Sequence, residues 1–455
     1  MRVSVTPSRR TPFVAAATIA ALVMIAVPAH AQAPAPAHAH ADRGAAPALP
    51  EVSASAETPS LFDDEAGGNA NADDPAIWRN ASDPDRSLVI ATAKEGGLRV
   101  YDLDGRQVQS LPAPPPPRDG DKPGRFNNVD LITGLRFPDG RHDVAVVSDR
   151  GRDQLRFYRI DPGRRTGPLV DVTDEAAAPL VFSSGQDEVG DQRTAYGLAA
   201  YTDRRGRSFA VTSRRHDTRL ALAELTPDAR GTVGYRLVRT LTLPSSFTLP
   251  DGTRWTPCAE PGELPQVEGM VVDPDSGDLY AGQEDVGIWK LDADLRSPAR
   301  LIEKVRSYGV PGTWNPGTEE CDAGADPGFG GRYLSADVEG LTIWRDPEDP
   351  RRDGYLIASG QGDDTFAVFD RGHRNAFVRG FRVTAGAAPG APDGSEVCDG
   401  AAVTSAPLGR RFPNGLLVVQ DGANTPETAG PDGQPRTDTD FKFVDWGRLQ
   451  RAAGL

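Results

Sequence analysis

Six segments of the chain share one pattern of hydrophobic and polar residues. Each segment has an apolar run typical of a buried strand, then a short polar break, and then a run in which apolar and polar residues alternate. The segments lie at 87–105, 143–161, 208–225, 278–292, 355–370 and 415–446. Long helical periodicity is scarce, and 49 glycines and 40 prolines suit tight turns between short strands. The pattern therefore predicts an all-β protein made of repeats.

The spacing of the repeats indicates their architecture. They start 56 to 77 residues apart, which suits a four-stranded unit with variable loops. Such units bury their faces by packing against one another around an axis. We predict one six-bladed β-propeller of four-stranded antiparallel blades over residues 61–455, with five or seven blades left open by the uneven spacing. The last segment lacks strands, so we expect the N-terminal sequence near Asp74–Trp78 to close the ring.

The N-terminus has the parts of a signal peptide. Three arginines precede an apolar run over 13–27, and Ala29-His30-Ala31 fits a cleavage site. The run is short for a membrane span. We expect residues 1–31 to be cleaved near Ala31 and the protein to be secreted, either extracellular or periplasmic. The Ala/Pro-rich stretch 32–60 cannot build a core and is expected to be a disordered leader.

The balance of charges excludes one class of partner. The formal net charge is −15, whereas nucleic-acid binding needs a basic surface. An acidic surface either keeps a protein soluble or concentrates carboxylates that hold hard cations.

The three cysteines of the chain permit one disulfide and one free thiol in an exported protein. Cys258 and Cys321 both lie in Pro/Gly-rich loop sequence and are the expected pair. We expect Cys398 to stay reduced and buried beside Asp399.

Acidic and amide residues recur beside apolar strand residues, in motifs such as Asp73-Asp74, Glu284-Asp285 and Asp337-Val-Glu339. Oxygen ligands without His or thiolate favour hard ions, and irregular spacing suits calcium better than magnesium. A single motif of this kind is more often a capped turn or a structural ion site. The whole set favours a cluster of several Ca²⁺ ions.

The polar breaks between the two central strands of each repeat also carry charge. In a propeller these breaks meet at one end of the axial channel. They combine cationic and acidic residues, which predicts a site with a basic half and an acidic half. The residues are Lys94, Arg150, Arg214, Glu284, Asp363 and Asp421.

Several strings, in order, resemble the β-propeller phytases, the alkaline, 3-phytase-like family. They are DDPAIW, FNNVD, EGMVVD, DVEGLTIW, YLIASGQG, VVQDGAN and FKFVDW, and they cover about residues 70–450. The resemblance implies a phosphomonoesterase that needs several calcium ions. It implies hydrolysis of phytate (inositol hexakisphosphate) by a metal-activated water, without a covalent phosphoenzyme.

The resemblance also assigns roles to individual residues. Glu284 is implied at the active centre, and the residues implied to contact phosphate and support catalysis are Lys94, Arg150, Tyr196 and Arg214. The implied metal ligands are Asp74, Asn127, the Val129 carbonyl, Glu268, Glu284, Asp337, Glu339, Asp393, Asp399, Asp421 and Asn424. In an extended strand Asp337 and Glu339 would share one face and could share one cation.

The chain departs from the family pattern at several positions. Glu95 stands where the family often has a second lysine after Lys94, and Gln283 replaces a glutamate. Arg214 stands where lysine is common, which keeps the charge but not the geometry. The stretch 68–71 is one residue longer than the pattern implies, which puts the number of active-site ions in question.

Two other functions are compatible with a calcium-binding propeller. One is a calcium-dependent lactonase or esterase, against which the cationic residues Lys94, Arg150 and Arg214 count. The other is a non-catalytic binding module. The expected partner is a small molecule, phytate as its calcium complex, with neither nucleic acid nor membrane. A closed propeller has no open edges, so we expect a monomer.

Overall fold

The computed structural model of the protein describes residues 48–62, 70–349, 353–372, 374–430, 433, 435–436 and 438–455. The expected signal peptide and most of the expected leader lie outside the described residues, as do positions 68 and 69.

Six antiparallel sheets follow one another along the chain, and each is one blade. The first three blades consist of Pro75–Trp78, Leu88–Thr92, Leu98–Tyr101 and Gln107–Leu111; Phe126–Phe137, Gly140–Asp149, Gln154–Ile160 and Leu169–Asp171; and Ala195–Thr202, Ser208–Arg214, Arg219–Pro227 and Val233–Thr242. The last three consist of Val267–Val272, Asp278–Gln283, Gly287–Asp292 and Arg300–Lys304; Val338–Arg345, Gly354–Gly360, Thr365–Asp370 and Phe377–Val383; and Ala401–Thr404, Leu416–Asp421, Asp438–Asp445 and Ala56–Glu57.

The first-listed strand of each blade is the innermost one. Each inner strand contacts the inner strands of the two neighbouring blades, and Ala401–Thr404 contacts Pro75–Trp78. That last contact closes the circle, so the predicted six-bladed β-propeller is confirmed.

The N-terminal sequence supplies the missing strand of the sixth blade, as expected, but the strand is Ala56–Glu57; the segment near Asp74–Trp78 contains the inner strand of the first blade instead. Ala56–Glu57 pairs with Asp438–Asp445 as the outer strand of the sixth blade, and Leu61–Phe62 pairs with the other end of that strand. Glu51–Val52 extends the fifth blade in parallel. The stretch 32–60, expected to be a leader, therefore contains two strands in its C-terminal part.

The central strands explain the apolar runs in the sequence. All five side chains of Leu88–Thr92 are buried, because the two faces of a blade both pack against neighbouring blades. Outer strands such as Gln107–Leu111 are partly exposed and carry polar residues.

Short elements decorate the loops. They are the α-helices Gln186–Val189 and Trp446–Ala453, the 3₁₀ turns Pro84–Arg86, Glu175–Ala177 and Gln361–Asp363, and the hairpins Phe247–Thr248 with Arg254–Trp255, Gly312–Asn315 with Glu320–Ala323, and Thr428–Ala429 with Pro435–Arg436. Among the described residues no helix combines the length and the apolar character that a membrane span needs.

The cysteines behave as expected. Cys258 and Cys321 form a disulfide. Cys398 is free and buried, and it immediately precedes Asp399.

Candidate active site

A β-bulge near the start of the inner strand positions one polar side chain in each of four blades. The pairing register shifts between Phe126 and Val129, Ala195 and Leu198, Val267 and Met270, and Val338 and Leu341. Bulges re-aim side chains and are common beside active sites. The first residues of these bulges are Asn127, Tyr196, Glu268 and Glu339. In the first and sixth blades the corresponding residues lie two places before the inner strand and are Asp73 and Asp399. We call these six the ring residues.

Hydroxyl groups fasten this ring. In four blades the second strand carries a Thr or Ser at the level of the ring. Its Oγ accepts a hydrogen bond from the N–H of the residue after the ring residue. The same hydroxyl donates to a backbone carbonyl of the next blade, and all these distances lie between 2.5 and 3.2 Å. These hydroxyl latches are Thr92, Ser148, Ser213 and Ser359. Gln420 plays the same part in the sixth blade, accepting the N–H of Asp399 at 2.8 Å and donating to the Ala72 carbonyl at 3.4 Å. Gly282 occupies the corresponding position of the fourth blade.

In three of the four bulges the second residue is a glycine (Gly197, Gly269 or Gly340), whereas the second blade has Asn128 there. A Cβ added to Gly197 would lie 2.1 Å from the carbonyl oxygen of Glu268 in the next blade. Glycine lets two backbones approach this closely. The glycines of Glu268-Gly269 and Glu339-Gly340 are therefore explained by the narrow spacing of the inner strands at the ring.

Three glutamates form the centre of the acidic half. Glu268, Glu284 and Glu339 each place a carboxylate oxygen within 4.8 Å of the others, and all three are buried. Glu284 Oε1 and Glu339 Oε2 have no hydrogen-bond partner among the residues that the structure describes. Burial, and then the neighbouring glutamates, raise the pKa of Glu284 and of Glu339 well above the usual range. Buried, crowded carboxylates with unpartnered oxygens suit a hard divalent cation.

Neighbouring side chains orient these carboxylates. Glu268 accepts hydrogen bonds from Asn127 Nδ2 at 2.7 Å and from the Tyr196 hydroxyl at 2.5 Å. Gln266 Nε2 donates to Glu284 Oε2 at 3.0 Å. Burial and the acidic neighbours raise the pKa of Tyr196, so it remains a neutral donor.

Asp337 lies beside an acid that the sequence reasoning did not select. Its carboxyl group is hydrogen-bonded to that of Asp285, and burial raises the pKa of both. The hydrogen bond between them raises the pKa of Asp285 and lowers that of Asp337. The expected sharing of one strand face by Asp337 and Glu339 is not seen, because the strand begins at Val338 and Glu339 lies in a bulge.

Asp73 and Asp399 extend the cluster toward Lys94. Lys94 Nζ lies 3.3 Å from Asp399 Oδ2, and Gln361 Nε2 donates to Asp399 Oδ1 at 2.6 Å. Asp73 Oδ2 is buried, and no described residue donates a hydrogen bond to it. Burial raises the pKa of Asp73, Lys94 lowers it, and Glu268 and Asp399 raise it further. The predicted metal ligand of the Asp73-Asp74 pair was Asp74.

Asp74 faces the axial channel. Its Oδ2 accepts the N–H of Val129 at 3.0 Å, and both residues line the channel beside Glu339. Asp74 therefore contacts Val129, as the two expected ligands would. The aspartate whose pKa is affected by Lys94 and Asp399 is its neighbour Asp73.

The basic half contains three guanidinium groups. Arg150 lies 5.8 Å from the centre of the Tyr196 ring. Burial, then the charges of Arg125 and Arg215, lower the pKa of Arg150 to about 9. The Nε atoms of Arg125, Arg150 and Arg215 are buried and have no hydrogen-bond partner in the described part of the chain. Clustered cations with unused donors are suited to bind an anion.

The structure places Arg215, rather than the expected Arg214, beside Arg150. Arg214 binds Glu188 at 3.1 Å and Asp217 at 3.3 Å, and its Nε donates to the Arg193 carbonyl at 2.6 Å. Adjacent strand residues point to opposite faces. A spacing would have identified the right residue: Thr92-x-Lys94, Ser148-x-Arg150 and Ser213-x-Arg215 each place the cation two residues after the hydroxyl latch.

The other predicted turn residues do not join this site. Asp363 binds Arg306 at 2.6 Å. Asp393, Asp421 and Asn424 gather instead around Lys442, whose ammonium group is fully buried. It lies 2.9 Å from Asn424 Oδ1, 3.2 Å from Asp421 Oδ2 and 3.0 Å from Asp440 and Glu57, and it also contacts Asp393. The expected metal ligands therefore fall into two separate clusters.

The chain is similar in sequence to known proteins of one family. A family model described as Phytase matches residues 14–249 and 314–454. A 3-phytase of Bacillus subtilis (strain 168) is 30% identical over 406 residues, which is 89% of this chain and 86% of the relative. Two solved structures, a periplasmic gluconolactonase of Pseudomonas aeruginosa and the allergen Mala s 1 of Malassezia sympodialis, are both 14% identical. They cover 67% and 83% of this chain and 69% and 93% of their own, with TM-scores of 0.36 and 0.39. The family match and the Bacillus relative show that this chain belongs to the phytase family.

Proposed function

We propose that this phytase-family protein hydrolyses phytate in a calcium-dependent reaction. One observation carries the proposal: buried carboxylates with unpartnered oxygens lie beside buried guanidinium groups with unpartnered Nε atoms. The first set suits a divalent cation and the second suits an anion. A phosphate group bound with a cation satisfies both.

The residues present fit Ca²⁺. Glu268, Glu284 and Glu339 would hold an ion. Asp73 interacts electrostatically with Glu268, and Asp399 with Glu339, so both aspartates would add to the negative charge around the ion. The donor set consists of oxygen atoms only, as hard cations require. When bound, calcium would neutralise the carboxylates and lower the pKa of a coordinated water.

The chain's own residues would perform the remaining tasks. Lys94, Arg150 and Arg215 would bind phosphate oxygens and stabilise the charge that develops on the transferred phosphoryl group. Tyr196 donates to Glu268 and so fixes one carboxylate oxygen of the acidic half. Gln266 does the same for Glu284.

A second role for calcium concerns the Lys442 cluster. Four carboxylates (Glu57, Asp393, Asp421 and Asp440) face one ammonium group there, so negative charge is in excess. A structural calcium that shares Asp393, Asp421 and the Asn424 oxygen would reduce this excess.

Secretion remains a proposal from the sequence. Residues 1–31 would be removed, and the mature protein would act as a monomer on phytate or its calcium complex. Mass spectrometry of the exported protein would give the processed N-terminus, and a start within residues 1–10 would contradict cleavage.

Phosphate release from phytate tests the proposed function. The purified protein should release phosphate in calcium, lose this activity in EGTA and regain it when calcium is restored. Phytate binding without release would indicate a binding module. Hydrolysis of lactones without phosphate release would indicate the lactonase alternative.

A further inference from the structure

Glu95, the residue that departs from the family pattern, forms an ion pair with Arg125. The carboxylate contacts Arg125 Nη1, and the two side chains are 25% and 14% exposed. A partly buried ion pair of this kind restricts the guanidinium group to one place. The pair therefore holds the guanidinium group of Arg125 near Lys94. Glu95 occupies the position where the family pattern has a second lysine, so this chain has a cation there through the partner of Glu95.

The backbone sets Arg125 between two residues of the basic half. The Phe126 N–H donates to the Lys94 carbonyl at 3.1 Å, and the Arg150 N–H donates to the Arg125 carbonyl at 2.7 Å. The Arg125 N–H donates to Asp149 Oδ1 at 3.0 Å. Residue 125 is thus tied to the turns of the first and second blades, both of which contribute cations to the site.

Part of the guanidinium group remains available for a ligand. Glu95 contacts Nη1, whereas none of the described residues forms a hydrogen bond with the buried Nε. The charge of Arg125 also acts on Asp73, Arg150 and Arg215, which shows that it belongs to the same electrostatic neighbourhood. Arginine presents two edges for hydrogen bonding, and an acid that binds one edge leaves the other free.

We propose that Arg125 is a further substrate-binding residue that contacts a phosphate group through the edge that Glu95 leaves free, and that Glu95 is a positioning residue that acts through Arg125. The proposal rests on the proposed function for the identity of the substrate. In this arrangement the acidic residue Glu95 assists the binding of a polyanion. Its negative charge is paired with the guanidinium group of Arg125, which it holds in place.

Two simpler accounts make different predictions. If Glu95 acts on phosphate directly, its negative charge repels the substrate, and removing it should strengthen binding whether or not Arg125 is present. If the pair is only a structural link between two blades, its loss should lower the melting temperature and leave substrate affinity unchanged.

A double-mutant cycle separates these accounts. We would compare wild type, Arg125→Ala, Glu95→Ala and the double variant, all with calcium. The readouts are the dissociation constant of inositol hexasulfate as a non-hydrolysed polyanion, KM and kcat on phytate, and the melting temperature. Arg106→Ala is the matched control, because Arg106 forms an exposed ion pair with Asp104 in the turn before the outer strand of the first blade.

Arg125→Ala should raise the dissociation constant and KM about tenfold or more, with a smaller change in kcat. Glu95→Ala should raise both in the wild-type background and change neither in the Arg125→Ala background. Glu95→Asp should recover part of the loss. Arg106→Ala should match wild type.

Unchanged affinity in Arg125→Ala would overturn the proposal, whatever the melting temperature does. Tighter binding in Glu95→Ala would overturn the positioning role. If wild type binds the polyanion without hydrolysing phytate, the proposed function fails and the cycle still tests Arg125. If wild type does not bind it, both fail.

Discussion

Gly269 lies so close to Glu339 of the next blade that an added Cβ would be 1.7 Å from the Glu339 carbonyl oxygen. Gly269→Ala should push the inner strands of the fourth and fifth blades apart and destabilise the protein by about 1–3 kcal/mol. Because both neighbouring ring residues move, calcium affinity should fall too. Urea denaturation and calcium titration measure these effects. Gly185→Ala is the control, since that position is extended and open, and an equal effect there would contradict the packing argument.

Calcium should stabilise the fold as well as the activity. A ligand that binds only the native state adds about 2.7 kcal/mol at a hundredfold excess over its dissociation constant. The melting temperature should therefore rise with calcium and fall with EGTA. Magnesium at the same concentration is the control. An identical melting temperature in calcium and EGTA would argue against structural sites.

The pH dependence of stability should change sign with calcium. Glu284 and Glu339 have raised pKa values in the metal-free native state, so they keep protons that the unfolded chain loses above its ordinary value of 4.5. In EGTA their contribution to stability is complete below about pH 4.5 and is lost as the pH rises through the raised values. Calcium binds the deprotonated forms, so its stabilising effect should grow with pH. Melting of wild type and Glu284→Gln between pH 4 and 9, with and without calcium, isolates this contribution.

Glu339→Gln and Arg150→Ala should both abolish most phytate hydrolysis, for different reasons. Glutamine removes a metal-binding charge with little change of shape, so higher calcium should recover part of the activity. Arg150 is expected to contact phosphate, so calcium should not rescue its loss. Steady-state kinetics across a calcium titration distinguish the two, and near-normal rates in both variants would mean that the site is elsewhere.

Arg214 and Arg215 should behave differently although they are adjacent. Arg215→Ala removes an unpaired guanidinium group beside Arg150 and should lower kcat/KM about tenfold or more. Arg214→Ala breaks ion pairs with Glu188 and Asp217 and should leave kcat/KM within about twofold. Parallel kinetics on the two variants check this. A larger loss in Arg214→Ala would restore the assignment made from the sequence.

Lys442→Met should destabilise the sixth blade strongly. It leaves buried carboxylates without their cation, which typically costs about 3–5 kcal/mol. Chemical denaturation measures the loss, with Lys122→Met as an exposed control. If calcium restores most of the stability, an ion can replace the ammonium group. A variant as stable as wild type would show that the carboxylates are satisfied in another way.

The sequence predicted what depends on repetition. Apolar runs such as Leu88–Thr92 recur with turns between them, so the all-β class and the blade number followed from spacing. The closing strand did not, because Ala56–Glu57 is only two residues long and lies in Ala/Pro-rich sequence. Nothing in its own pattern marks it as a strand, and its pairing with Asp438–Asp445 is a long-range contact.

The site was predicted at the level of motifs and less well at the level of single residues. In the pairs Asp73-Asp74, Arg214-Arg215 and Glu284-Asp285, either member could face the channel mouth. Strand alternation decides such cases only if the register is known, and bulges in the inner strands shift the register. Asp421 was placed at the mouth because it lies in a polar break between two central strands, whereas the structure has its carboxylate beside the buried ammonium group of Lys442.

In the part of the chain that the structure describes, one boundary between neighbouring blades has no side-chain latch. Five of the six boundaries between neighbouring inner strands have a hydroxyl or amide bridge, whereas Gly282 offers no side-chain donor at the boundary between the fourth and fifth blades. Glu268 and Glu284 lie on one side of that boundary and Glu339 lies on the other. The Val338 N–H donates to the Glu284 carbonyl across this boundary at 3.1 Å, and an ion held by all three glutamates would add a second bridge where the side-chain latch is lacking.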